Sequence, residues 1–377
     1  MTTGTIHALN VVRGVAALLV VFSHARSYLF QALADEPSGW EKIALLPTGF
    51  AEEAVAVFFV LSGFLVGGPV VRQVQERRFS WRLYLAKRLS RMWVVLLPAI
   101  VFTLAADSIS SMAFDSKFEL LRNEGELDVS SVACNAAFLQ STRCHAYGSN
   151  DALWSLSFEF WFYILFAGAT VAVFSLARKA WLQLAVGAAV SIGSVAIFGW
   201  PVFRLIFAWL VGVAVAVVQA RWSESGAPQW CSSRAALPAG LIVAGVGAAI
   251  SAFTISSYEL RFAVVGLAVA PLILILVAGK KYSQPWVKAV GKTSEWSFSI
   301  YAYHLPLLKL LIAAVATFAT PQGIAAVGVV YLLGAVTSAV CIPLWRITEN
   351  HTPVVRDAFM SWLGVPAKPR HAIKSRG

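Results

Sequence analysis

Charge is scarce in this chain. Only 13% of its 377 residues are Asp, Glu, Lys or Arg, and acids are rarer than bases, 19 against 30. Apolar types make up 58%, a balance that a water-soluble domain of this length does not need. Alternation of apolar and polar residues is also missing, which speaks against a β-barrel; the apolar runs are continuous and of spanning length. The four cysteines and six histidines are not spaced as metal ligands, so no metal is expected. No G-x-S-x-G occurs, which excludes a nucleophile elbow. No low-complexity segment is present. The lack of an internal repeat speaks against inverted-repeat transporters. The net charge of +11 would suggest nucleic acid in a soluble protein. Here the cytoplasmic bias of Lys and Arg in membrane proteins accounts for it, and no nucleic-acid partner is expected.

What remains is an all-α polytopic membrane protein of about ten spans, near 9–29, 50–70, 91–107, 152–176, 180–199, 202–220, 236–254, 261–279, 297–316 and 323–344. The basic residues gather in alternate connections. Arg72, Arg77, Arg78, Arg82, Lys87, Arg88 and Arg91 fall in the second, Arg178 and Lys179 in the fourth, Arg221 and Arg234 in the sixth, and Lys280, Lys281, Lys288 and Lys292 in the eighth. The tail carries Arg346, Arg356, Lys368, Arg370, Lys374 and Arg376. This pattern predicts that both termini are cytoplasmic. One membrane domain over 1–345 and a short polar cytoplasmic tail over 346–377 are expected. The third connection, about 108–151, is the longest extracytoplasmic one. It holds Cys134 and Cys144, which an oxidising compartment would allow to pair.

Two ionisable residues interrupt the first span. Eleven helical steps separate Arg13 from His24, three turns plus about 20°, so they share one stripe roughly 16 Å apart. Such groups face a bundle interior or a wet cavity. An imidazole can take a proton from a hydroxyl and return it; a satisfied structural histidine is the alternative. Glu159, in LWSLSFEFWFY, lies less than two turns into the fourth span, at a depth similar to His24, and could orient it or partner another helix. Arg88 and Arg91, with Lys87 beside them, sit at the cytoplasmic lip of the third span. Their guanidinium forks suit phosphate or lipid headgroups. Ser62 and Gly63, in FFVLSGFLVGG, permit either close helix packing or close approach of a ligand to backbone. In SFSIYAYHLP, Pro306 frees a carbonyl in the ninth span, and His304 is a structural or ligand-contacting group.

These stretches, in this order, resemble the acyltransferase 3 family of integral membrane acyltransferases. Arg13 and His24 match its R-x10-H pattern, FFVLSGF its FFxLSGF stretch, and Arg88 with Arg91 its R-x-x-R. LWSLSFEFWFY resembles WSLxxEExxFY, SFSIYAYHLP resembles SYSIYLxHxP, and Trp345 to Pro353 resembles the closing E-x-P region. Two departures stand out: Phe160 replaces the second carboxylate of the fourth-span motif, and the proline after R-x-x-R comes late, at Pro98. The resemblance implies transfer of an acyl group, usually acetyl, from cytoplasmic acyl-CoA to a hydroxyl of an extracytoplasmic glycan or glycolipid, in a bacterial inner membrane. On that implication Arg88, Arg91, Lys87, Ser62 and Gly63 hold the coenzyme, with Arg13 steadying the donor. His24 is the general base oriented by Glu159, and Trp154, Tyr301 and His304 meet substrate. A transporter or flippase of a sugar or lipid-linked glycan is the competing expectation.

Overall fold

The computed structural model describes residues 3–122, 124–278, 291 and 296–364. Ten of its helices are long and apolar enough to cross a membrane. They are α1 (Thr3–Leu33), α2 (Ala51–Gln75, with a π-helical turn at Gly63–Gly67), α3 (Trp81–Phe118), α4 (Trp154–Ala177), α5 (Trp181–Phe198), α6 (Val202–Ser225), α7 (Ala236–Thr254), α8 (Tyr258–Ala278), α9 (Ser297–Phe318) and α10 (Ile324–Ile347). Among the described residues there is no strand, only an isolated bridge between Gln140 and Cys144. The lysines expected in the eighth connection, and Lys368, Arg370, Lys374 and Arg376, lie outside the described residues.

Helices α2 and α9 are the most buried of the ten, and with α1, α3 and α4 they hold the polar residues that lipid would reject. The surfaces of α5 and α7 are left largely exposed, with Leu182, Ile192, Leu241 and Ile242 more than half exposed; apolar side chains there need no protein partner in hydrocarbon. The α2–α6 contact rests on two glycines facing each other. A Cβ at Gly63 would strike the carbonyl of Trp209, and one at Gly212 the carbonyl of Val60. Small residues at such crossings let backbones meet.

Two boundaries differ from expectation. The third helix begins at Trp81, capped by Ser80 whose Oγ accepts from the Leu83 N–H at 3.5 Å, and runs on to Phe118. Arg88 and Arg91 therefore stand inside a helix that continues beyond its apolar part, and Pro98 lies within the same helix. The tenth helix runs to Ile347 rather than ending near 344, and beyond it Thr352–Trp362 forms α11, which lies against α3 with the Phe359 ring 6.1 Å from Trp93.

The long connection after α3 is tightly built. Cys134 and Cys144 are joined by a disulfide. The short helix Val129–Ala136 is capped by Asp128, whose Oδ1 accepts from the Ser131 N–H at 2.7 Å; that bond holds the exposed carboxylate below its usual range. Residues 147–151 then dock between α3 and α9. Asp107 accepts from the Ser149 N–H at 2.8 Å and from its hydroxyl at 2.5 Å. Gly148, at φ +54°, brings the backbone so close that a Cβ would meet the Asp107 carboxylate.

Candidate active site

Pro306 cannot donate to the carbonyl of Ala302 four residues earlier. Asn150 fills that role from the docked loop, its Nδ2 donating to Ala302 O at 2.9 Å and to Thr103 Oγ1 at 3.2 Å. This holds the proline-containing turn of α9, on which His304 sits fully buried. Nδ1 of His304 is 2.8 Å from Tyr301 O and 3.1 Å from Ile300 O. Carbonyl oxygens only accept, so this nitrogen carries the proton and Nε2 of the neutral ring is the acceptor. Nε2 lies 2.9 Å from Nδ1 of His24, and the two rings are parallel, 5.1 Å apart. It follows that His24 donates through Nδ1–H and keeps Nε2 unprotonated. The expected pairing of His24 with Glu159 is not made: similar depth in two helices does not fix their facing.

Glu159 belongs instead to a cluster with Ser62 and Tyr163. Its Oε1 accepts from Ser62 Oγ at 2.6 Å and from the Tyr163 hydroxyl, while Trp209 Nε1 donates to Ser62 Oγ at 3.2 Å. The cluster lines a cavity of about 270 Å³ shared with Arg13, Arg88, Arg91, Ser155 and Tyr301. Arg88 stands over the Tyr163 ring at 5.7 Å, and its buried Nε makes no hydrogen bond. A buried, unanswered guanidinium N–H at a cavity wall suits an anionic ligand, since leaving it unmade is costly. Arg13 donates from Nε to Ser297 Oγ at 2.9 Å. Two residues along α9, Ser299 gives its N–H and hydroxyl to Glu349, at 3.1 and 2.9 Å. Glu349 is within electrostatic reach of Arg91 and Arg13.

Tyr301 also lines the cavity, and its hydroxyl donates to Ala152 O at 2.8 Å and accepts from Ser155 Oγ at 2.6 Å. His304 is one helical turn beyond. On its far side, Tyr28 presents an edge to His24, with ring centroids 5.9 Å apart. The Tyr28 hydroxyl donates to Asp151 Oδ2 at 3.3 Å. Lys309 stands over the Tyr28 ring at 4.5 Å and gives its ammonium to Ser149 O at 2.9 Å and Asp151 Oδ2 at 3.4 Å.

Three residues expected at the site do not line this cavity. Gly63 packs against α6 and is not part of the cavity wall. Lys87, one step round the helix from Arg88, is exposed and does not line the cavity either. Trp154 faces away from this cavity, towards two others on the side of the disulfide loop. Tyr163 and Glu349 lie in stretches that carry the family resemblance but were given no role, and sequence reasoning missed Tyr28, Asp151 and Lys309. Of these three only Lys309 had a clear signal, a lysine in mid-span.

The fold and site thus define an integral, multi-pass membrane protein with clusters of polar side chains inside its helical bundle. The chain belongs to the acyltransferase 3 family, described as an acyltransferase domain, whose pattern it matches over residues 6–346. It is also similar to an uncharacterized protein of Haemophilus influenzae, 28% identical over 117 residues, which is 29% of this chain. The chain spans 45% of that relative's length. No solved structure matches it.

Proposed function

We propose that the chain is an O-acyltransferase of a bacterial inner membrane, moving an acyl group, acetyl first among candidates, from cytoplasmic acyl-CoA to a hydroxyl of an extracytoplasmic or lipid-linked glycan. The observation that supports this reading most is the His24–His304 bond at 2.9 Å. It leaves Nε2 of His24 as a base on the stripe that also carries Arg13.

In this reading Arg88 and Arg91 take the phosphates of the coenzyme, with Arg13, fixed by Ser297, steadying the donor. Glu159, oriented by Ser62 and Tyr163, accepts an amide N–H of the pantetheine arm. The acceptor hydroxyl gives its proton to His24 Nε2 as its oxygen adds to the thioester carbonyl. The C–S bond then breaks, and the thiolate recovers the proton from His24 to leave as free coenzyme A. While His24 is an imidazolium, its Nδ1–H bond to His304 becomes charge-assisted and stronger. A positioned base of this kind contributes about 10²- to 10⁴-fold.

Acetyl-CoA binding and turnover by the purified protein test the reading. His24→Ala is expected to bind the coenzyme and lose turnover, and Arg88→Ala/Arg91→Ala to bind it weakly. A wild type that neither binds nor turns over acyl-CoA refutes the proposal and turns attention to transport of a sugar or lipid-linked glycan.

A further inference from the structure

The turn that opens α4 is a wall between two compartments. Ser155 and Glu159 face the arginine-lined cavity, while Asp151 and Trp154, one turn apart, line a second cavity of about 500 Å³ with Arg143 and His145. A third, of about 400 Å³, lies against the same indole and is lined by Phe158, Arg204 and Tyr258. Trp154 and Ser141 border both. We propose that these adjoining cavities are the acceptor site, that they take a saccharide of at least two rings astride Trp154, and that the disulfide-closed loop is the wall that selects it. The proposal rests on the acyltransferase reading above.

The lining carries the chemical class. A sugar ring offers a C–H face and a rim of hydroxyls; an indole and a phenol take the face by apolar contact, and carboxylate and guanidinium groups take the rim. A fatty chain would want an apolar lining, and the first cavity is bordered by Ser141, Thr142, Arg143, His145 and Asp151. Two cavities sharing one aromatic partition suit two consecutive rings. The loop wall is held independently of the spanning helices' own packing. The Cys134–Cys144 bond closes it, Asn135 Nδ2 donates to His145 O at 3.1 Å, and Arg143 reaches the end of α5 through Ile197 O at 3.1 Å and Ala196 O at 3.2 Å. Asp151 joins this site to the reaction centre, since the Tyr28 that donates to it also presents an edge to His24. The acylated ring is thus the one on the Asp151 side of Trp154.

The test uses everted membrane vesicles containing the full chain, radiolabelled acetyl-CoA as donor and the vesicles' own glycans as acceptor. Ser141→Trp fills the border of both cavities from an exposed position. Trp154→Ala removes the partition. Each is expected to lower label in the glycan fraction about tenfold or more, equivalent to about 1.4 kcal/mol, while the purified variants bind acetyl-CoA as wild type does. Wild-type labelling in both variants overturns the proposal, as does a parallel loss of acetyl-CoA binding in both, which would make the cavities part of general packing. Label recovered in material without sugar overturns the substrate class. A wild type that binds no acyl-CoA and transfers no label removes the acyltransferase reading itself, a different failure from the others.

Discussion

Replacing His304 by Phe keeps an aromatic ring in its fully buried site and removes both nitrogens. Two losses follow. The carbonyls of Tyr301 and Ile300 lose a donor at 2.8 and 3.1 Å, though both remain within a helix. More importantly, the His24 Nδ1–H loses its acceptor at 2.9 Å, so nothing selects the tautomer that leaves Nε2 free. A neutral hydrogen bond contributes about 1 kcal/mol net and one to a charged group about 1.5–3 kcal/mol. The bond is of the first kind in the resting pair and of the second when His24 holds the proton. Turnover is therefore expected to fall about 10- to 100-fold, at roughly 1.4 kcal/mol per tenfold. Acetyl-CoA binding should be unchanged, because His304 does not line the arginine cavity. His304→Gln, which can offer an amide oxygen to His24, is expected to recover part of the loss. The assay is thioester turnover by purified protein, with coenzyme binding measured alongside. Full turnover in His304→Phe would refute the assignment of the tautomer, and a glutamine variant no better than phenylalanine would refute the role of Nε2 as acceptor.

Four further outcomes are expected. Arg88→Gln should weaken acetyl-CoA binding about 10- to 100-fold by calorimetry, the worth of a charge-assisted hydrogen bond, with little change when His24 is altered instead. Gly63→Ala should cost about 1–3 kcal/mol by overpacking against the Trp209 carbonyl, read as a lower thermal midpoint in detergent; Gly245→Ala, with open space around it, should have no such effect. Lys309→Met should destabilise by about 1–3 kcal/mol, by leaving the buried Ser149 carbonyl without its donor and by removing the partner of a half-exposed Asp151, and Lys309→Met/Asp151→Asn by less than the sum of the two single changes. Cys134→Ser/Cys144→Ser should cost about 2–3 kcal/mol for a loop of this length and should render the wild-type protein's sensitivity to reductant absent from the variant.

The spans are legible in the sequence because burial of apolar length dominates every other term in hydrocarbon, and a run such as Leu9 to Phe30 has few alternatives. Their ends are less so. The helix at Trp81–Phe118 outruns its apolar portion at both ends, and hydropathy cannot see a polar extension. Arg13, Arg88, Arg91, Glu159, Ser62 and Tyr301 come together at the first cavity, although the sequence sets Arg88 and Arg91 at the cytoplasmic lip and Glu159 at the depth of His24, and hydropathy does not bring the two levels together. Which of them meets His24 is not readable from depth, since a helix must also be turned to the right angle. That angle is set by packing between α1 and α9, which the sequence of either alone does not contain. Gly63 shows the same limit: its motif permits both a ligand and a helix as neighbour, and α6 occupies the space.

Lys309 has a consequence for how the protein is made. It stands near the middle of α9, the ninth spanning helix to be synthesised, and an unaccompanied lysine at that depth raises the cost of lateral entry into lipid by about 2.5–3.5 kcal/mol. Its partners, Ser149 O and Asp151, come from a connection 160 and 158 residues earlier in the chain. The contact that answers the lysine thus joins α9 to a connection made well before it, and the same helix carries His304 to His24.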